Sequence, residues 1–449
     1  MSASFHIEGT TLRQYSGTDT AVHVPDGITC IGLAAFAFCP APVVITLPDS
    51  VTDIGRYAFQ GCAHLERIEV RPGPREPDRI TMIHRDAFAA CRRLRQVTLP
   101  GGALLLGRTA FDGCGLLEEV RMADPAPDSI SGDSLIGTRA FNECRALRRA
   151  QLPRGLTSIH QEAFSGCDSL QSVQLPDTVL RVEESAFSRC PSLAAVQLPE
   201  HLTSVDAAAF AQCGGLEQIT FPAGFVRTGE CAFALCSGLK RITFSGPVEE
   251  LGAQSFAGCR SLQSVTLPGG DALLGDGAFE ECTGLEGVTL SGSFARLGGQ
   301  AFCECRSLKR LTVTAQVDAM GPGVFSQCGA LEEVCWTGPL AALGRDAFCH
   351  CGSLHSVTLP EGLTAIEDYA FAQCSALEQI ELPGTLEAIG GGAFAWCGGL
   401  EELTVPDRVS SIGAGAFQEC RKLKRVSLPA GCQCAPNAFP SGCVLVRRD

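Results

Sequence analysis

The chain has 449 residues, 45% hydrophobic and 19% charged, which is enough apolar material for a large folded core and excludes a disordered or low-complexity protein. Lys and Arg number 35 against 49 Asp and Glu, so the formal net charge is −14 and the basic footprint of a nucleic-acid or anionic-membrane binder is missing. No stretch approaches the roughly 20 apolar residues of a membrane span, and no basic start leads into an apolar signal region. The expectation is therefore no membrane insertion and a cytoplasmic location, or the cell surface if the chain is exported by another route.

The predicted elements begin with a cap. Phe5–Glu8 and Leu12–Tyr15 flank Gly9-Thr10-Thr11 and read as a hairpin, and Ala21–Val24 is an abbreviated first strand before Pro25. Residues 1–24 form this N-terminal part. From residue 25 to 431 one repeat fills the chain. The pattern Phe-x-x-Cys runs from Phe36/Cys39 to Phe417/Cys420 in 17 copies, spaced by 23 residues except for steps of 29 (Phe59 to Phe88) and 30 (Phe111 to Phe141). A stretched copy, Phe439 to Cys443, opens onto a C-terminal cap at 432–449, with Val444–Val446 as a last strand. The periodicity is uninterrupted by any linker, so a single elongated array is expected.

One unit, LPDSVTDIGRYAFQGCAHLERIEV from Leu47, shows the logic. Ile68 and Val70 share one face of a strand by period two. Pro48-Asp49 is the turn after the preceding strand, because Pro removes a ladder donor there. Val51 and Ile54 begin a second short apolar segment that Gly55 ends. Ala58 and Cys62 are four apart, a spacing that predicts one helical turn around Phe59. A unit this short cannot bury its apolar faces alone, whereas a stack of them can.

On these residues the chain resembles the BspA-type bacterial leucine-rich repeat, L-P-x-x-(V/L)-x-x-I-G-x-x-A-F-x-x-C-x-x-L-x-x-(V/I)-x-(L/F)-P. The resemblance covers nearly the whole sequence. It departs from the general leucine-rich repeat: the Asn/Cys ladder after the strand is replaced by Pro-Asp or Pro-Gly turns, and the Cys row stands before the strand. The resemblance implies a leucine-rich-repeat solenoid, a β-rich α/β superhelix with a parallel sheet on its concave side and short strands and single helical turns elsewhere. Family members are commonly linked to protein binding and surface attachment, which implies a protein partner and, as the alternative, a surface adhesion or structural module.

Of 25 Cys, 17 occupy the repeat position and Cys443 echoes it. Their placement predicts reduced core packing, since neighbouring ladder thiols have parallel side-chain vectors and a disulfide needs them to converge. Cys349-His350-Cys351 with His355 superficially suggests metal, but Cys351 belongs to the ladder and a Cys-x-Cys spacing is not the usual one for zinc. Cys432, Cys434 and Cys443 offer three thiols in the C-terminal cap, a better set with no His beside it, and no structural metal or cofactor is expected. Glu118-Glu119, Glu332-Glu333 and Glu401-Glu402 share one repeat position and read as sheet-surface residues. With no nucleophile elbow, zinc-protease or phosphate-loop motif, the chain reads as non-enzymatic.

Exposed positions after the inward strand residue carry a row rich in Thr, from Thr46 through Thr220, Thr289 and Thr404 to Ser427, which suits a sheet surface. Charge pairs beside it alternate in sign: Glu118-Glu119 then Arg148-Arg149, Lys309-Arg310 then Glu332-Glu333, Glu401-Glu402 then Lys424-Arg425. The aromatics outside the Phe row at the helical-turn positions are Tyr57, Tyr369 and Trp396. The two longer steps add loops at Arg71–Arg79 (RPGPREPDR) and Ala123–Ser134 (ADPAPDSISGDS). Both leave a strand end, after Val70 and Met122, on one rim, and insertions in repeat arrays often map to a binding face. Candidate partner-binding residues are therefore Arg71, Arg75, Glu76, Asp78, Asp124, Asp128 and Asp133.

Overall fold

The computed structural model describes residues 4–71, 80–99, 105–122, 135–152 and 155–448. They fall into two compact units, Met1–Gly224 and Phe225–Asp449. Both are built of stacked turns of chain, most of them contributing a longer strand to one parallel sheet and a two-residue strand to another. In the first unit the longer strands run in register from Ala21–His23 through Val44–Leu47, Arg67–Val70, Gln96–Leu99, Glu119–Met122, Arg149–Gln151 and Ser172–Gln174 to Ala195–Gln197. The shorter sheet opens with an antiparallel hairpin, Phe5–Glu8 on Thr11–Tyr15, and continues in parallel through Cys30–Ile31, Asp53–Ile54 and Met82–Ile83.

In the second unit the strands Ser264–Leu274 and Gly287–Leu297 are 11 residues long and pair with each other along their length; the first runs straight through Pro268-Gly269 at the turn position, where the second carries Ser291-Gly292. Arg310–Val313, Glu333–Trp336 and Ser356–Thr358 continue that sheet. A separate set, Glu402–Thr404, Arg425–Pro429 and Val444–Arg448, closes the unit.

The expected helical turn at Ala-Phe-x-x-Cys is corrected by the structure: the described residues contain no helix, so the α/β superhelix is a β-solenoid. The reason lies in where alternate N–H groups go. Ala58, Gln60 and Cys62 donate within their own turn, to the carbonyls of Gly55, Tyr57 and Phe59. Tyr57, Phe59 and Gly61 donate instead to the next rung, to Arg85, Ala87 and Ala89 at 3.3, 2.7 and 2.9 Å. A helix would send every N–H along one axis. Here Tyr57 and Gly61 adopt left-handed φ of 59° and 66°, which breaks the helical course and turns every second amide toward its neighbour.

The core is a set of ladders. Phe rings stack at 4.8–5.3 Å between centroids from Phe36 to Phe210 in the first unit, and Tyr15 of the hairpin heads the column 5.1 Å from Phe36. The column in the second unit runs from Phe233 to Phe439 at 5.1–5.4 Å. The 29- and 30-residue steps leave the column of the first unit intact, with Phe59–Phe88 at 5.0 Å and Phe111–Phe141 at 5.3 Å. Ladder thiols donate to the Phe carbonyl of the preceding rung, as Cys62 to Phe36 at 3.0 Å and Cys282 to Phe256 at 3.3 Å. All 25 Cys are free thiols, and burial pushes those of Cys282 and Cys420 up to about 12.

Candidate interaction surface

The longer-strand sheets present the surface that the sequence pattern offers. Leu65 and Ile68 point into the core, while Arg67 and Glu69 on the same segment are exposed. Register stacks equivalent positions: Gln151 opposes Gln174 and Gln174 opposes Gln197, and in the second unit Thr266, Thr289, Thr312, Cys335 and Thr358 face one another in turn. At the start of the row Thr46 is buried rather than exposed, at 8%. Opposite charges are also brought into register, Glu119 with Arg149, Arg310 with Glu333 and Glu402 with Arg425. Contacts between rungs include Arg95–Glu118 at 2.9 Å and Lys309–Glu286 at 3.6 Å. Exposed pairs of this kind are worth about 0–1 kcal/mol each, so most of this charge shapes the surface more than it stabilises the stack.

The strands from which the two insertions leave, Arg67–Val70 and Glu119–Met122, lie on either side of Gln96–Leu99. Two strand spacings are about 10 Å. Of the seven candidate residues, Arg75, Glu76, Asp78, Asp124, Asp128 and Asp133 lie outside the described residues. Arg71 is engaged by its own chain: its guanidinium donates to the Val24 carbonyl at 2.6 Å and pairs with Asp26 at 3.0 Å, while its main-chain N–H reaches the Leu47 carbonyl. Arg71 thus ties the root of the first insertion to the turn two rungs away.

Two polar clusters could be mistaken for catalytic ones. Ser158 and His160 both bind Glu183, at 2.7 and 3.1 Å, so the carboxylate lies between hydroxyl and imidazole and no nucleophile–base pair forms. Burial opposes the charge on Glu183, yet the hydrogen bonds from Ser158, His160 and Gln161 win and lower its pKa. Cys30 and His84 are likewise separated by Asp53, and burial together with that carboxylate raises the Cys30 pKa, which disfavours a thiolate. Among the described residues no group of three His, Cys, Asp or Glu is placed to hold a metal. Cys351 is fully buried on its ladder, and His350 instead meets Gln373 at the surface.

Of the aromatics noted at the turn, Tyr369 and Trp396 are exposed at 40% and 45%, both in left-handed backbone, and Tyr57 is half-buried. Phe38 and Leu235 are exposed in the same way. Sequence reasoning missed this pair of left-handed positions in each rung. The signal was present in the Gly that recurs two residues after the ladder Phe, at Gly61, Gly113, Gly166 and Gly258.

A stack of parallel rungs with an inward Leu, Ile and Phe column, a thiol row and an exposed sheet defines a leucine-rich-repeat-like β-solenoid. Residues 14–131, 127–240, 228–352 and 341–447 each match the BspA type leucine rich repeat region (6 copies), and the chain belongs to that family. Among solved structures, it is similar to a leucine-rich repeat protein from Bacteroides ovatus ATCC 8483, at 25% identity over 98% of this chain and 94% of that one, with a TM-score of 0.49. A leucine rich cell surface protein from Faecalibacterium prausnitzii A2-165 shares 23% identity over 95% and 93% of the two chains, with a TM-score of 0.33. No curated protein matches the chain.

Proposed function

We propose that this chain is a non-catalytic protein-binding scaffold and that the two insertions contribute to its partner site. The observation that carries the reading is that the ladder Phe and nearly all ladder Cys are buried in the stack, while the insertions leave the ends of strands on either side of Gln96–Leu99 and the Phe column stays intact across both longer steps. Loops on a rigid scaffold are where repeat proteins place recognition. Their Pro content limits the entropy lost on docking, and Arg71 fixes the entry of the first. Arg75, Glu76 and Asp78 on one loop and Asp124, Asp128 and Asp133 on the other supply the charge.

The test is to shorten both loops to the regular 23-residue unit and compare partners captured from native lysate by the two proteins. Loss of a specific partner from a variant that still unfolds cooperatively is the expected result. Unchanged capture would make the loops passive decoration. Fractionation of native cells accompanies it, because recovery in the envelope would favour a surface-adhesive role for the same scaffold.

A further inference from the structure

We propose that the break in the longer-strand sheet at Glu378–Leu382 is a strand-addition site for an extended, lysine- or arginine-rich peptide segment. This rests on the protein-binding reading above and places a second site, of defined chemistry, within the second unit. Ser356–Thr358 pairs with Glu333–Trp336 on one side, and Glu402–Thr404 pairs with Arg425–Pro429 on the other. Between them Gln379, Ile380 and Glu381 occupy the rung where a strand belongs, yet among the described residues their main-chain groups bond to neither neighbour.

The opening is confined to this face. Behind it Ala365–Ile366, Ala388–Ile389 and Ser411–Ile412 remain paired, and the rings of Phe371, Phe394 and Phe417 stack at 5.3 and 5.2 Å. In the gap Ile380 and Leu382 are only half-buried, whereas Leu403 and Val405 one rung on are 4% and 0% exposed. The space forms an open groove of ≈ 1160 Å³ lined by residues of the 378–384 and 401–408 segments and by Arg448.

Unpaired strand edges bind extended chains through main-chain hydrogen bonds, with alternate side chains setting specificity. Charge selects the occupant. Glu378, Glu381, Glu401 and Glu402 are exposed along the groove, and none has an ion-pair partner within 4.0 Å among the described residues. The cations of the lining are Arg448, whose guanidinium is held by Asp407 at 3.0 Å and by the Val405 carbonyl, and exposed Arg408. With Arg425 in register beside Glu402 but no closer than 4.0 Å, the glutamates still outnumber the cations of the lining. A strand with a cation at every second position would set those cations over the carboxylates while its backbone completes the sheet.

The probe is a fluorescent seven-residue peptide of alternating Lys and Val, capped at both ends, titrated against the full chain by anisotropy. Its comparators are the Glu-Val peptide and a Lys-Val peptide N-methylated on alternate residues, which keeps the charge and removes main-chain donors. The Lys-Val peptide should bind at least about tenfold tighter than either. E378K combined with E402K, both exposed and outside the core, should reverse the preference between Lys-Val and Glu-Val while circular dichroism stays unchanged. No binding by millimolar peptide, equal binding of the N-methylated peptide, or an unreversed preference would each overturn the site. Failure here with loop-dependent partner capture intact would leave the scaffold reading standing, and failure of both would remove both.

Discussion

At the residue scale the Cys row explains why this small side chain recurs where Ala or Ser would also fit. Its thiol reaches the Phe carbonyl of the preceding rung at 3.0–3.4 Å while its sulfur fills apolar space, so one atom satisfies an acceptor and packs. C282A removes both and is expected to lower stability by about 1–2 kcal/mol in urea unfolding. Thiol counting in denaturant should recover nearly all 25, and a large shortfall would contradict the ladder. The same burial makes the fold sensitive to base. Folded ladder thiols such as Cys282 and Cys420 titrate near 12, above the ordinary value of 9.0. Below that ordinary value both states are protonated and the contribution is fully present. Above it the unfolded chain ionises first, and each such thiol costs the fold about 1.4 kcal/mol per pH unit until its folded pKa is passed. The urea midpoint in the presence of reductant should hold to about pH 8.5 and collapse between about pH 9 and 11. A midpoint unchanged across that range would show the thiols to be hydrated in the fold.

At the element scale, the turn around each ladder Phe carries two left-handed residues, and the side chain at such a position often leans over a Gly in the next rung. A Cβ at Gly61 would stand 2.5 Å from the Phe38 ring, and one at Gly392 would stand 2.4 Å from the Tyr369 ring. Gly392 also has φ 61°, so G392A meets both a strained backbone and an occupied space. It should cost about 1–2 kcal/mol for the backbone alone, plus the displaced ring. Combining it with Y369A should recover the steric part and leave the backbone part, which thermal unfolding of the four proteins in the cycle resolves. Strictly additive losses would mean that ring and glycine do not touch. The sequence offered spacing compatible with a helical turn here, and four-residue spacing is equally served by consecutive turns. Which one forms depends on whether alternate amides find acceptors in the next rung, and no single unit contains that information.

At the scale of the whole molecule the repeat is a nearest-neighbour system, in which each rung is stabilised by the two it touches. Removing residues 348–370, one complete 23-residue rung, places Phe325 against Phe371 in the register that neighbours already use. That deletion should still fold cooperatively with a modestly lowered midpoint. Removing 348–359 alone should not, because half a rung puts core residues of one turn over surface residues of the next. Circular dichroism of the full chain should show strand signal with no substantial helix, and a helix-dominated spectrum would contradict the solenoid.

The sequence by itself determined the rung. Period and composition fixed the inward Leu, Ile, Phe and Cys, the outward direction of row members such as Glu69, Gln174, Thr220 and Thr404, and the place of both insertions, because side-chain direction repeats along a linear chain; Thr289, Thr312, Cys335 and Ser427 of the same row are half-buried. Tertiary structure decided what depends on a partner 23 residues away. It routed alternate N–H groups of Tyr57, Phe59 and Gly61 into the next rung, which excluded the helical turn. It also placed Tyr15 of the hairpin at the head of the Phe column, although the Phe-x-x-Cys pattern is absent there. The same dependence opened the sheet at Glu378–Leu382, where LEQIELPG satisfies the repeat as well as any other unit. A main-chain hydrogen bond belongs to two rungs at once, so whether it forms is settled only when both are stacked.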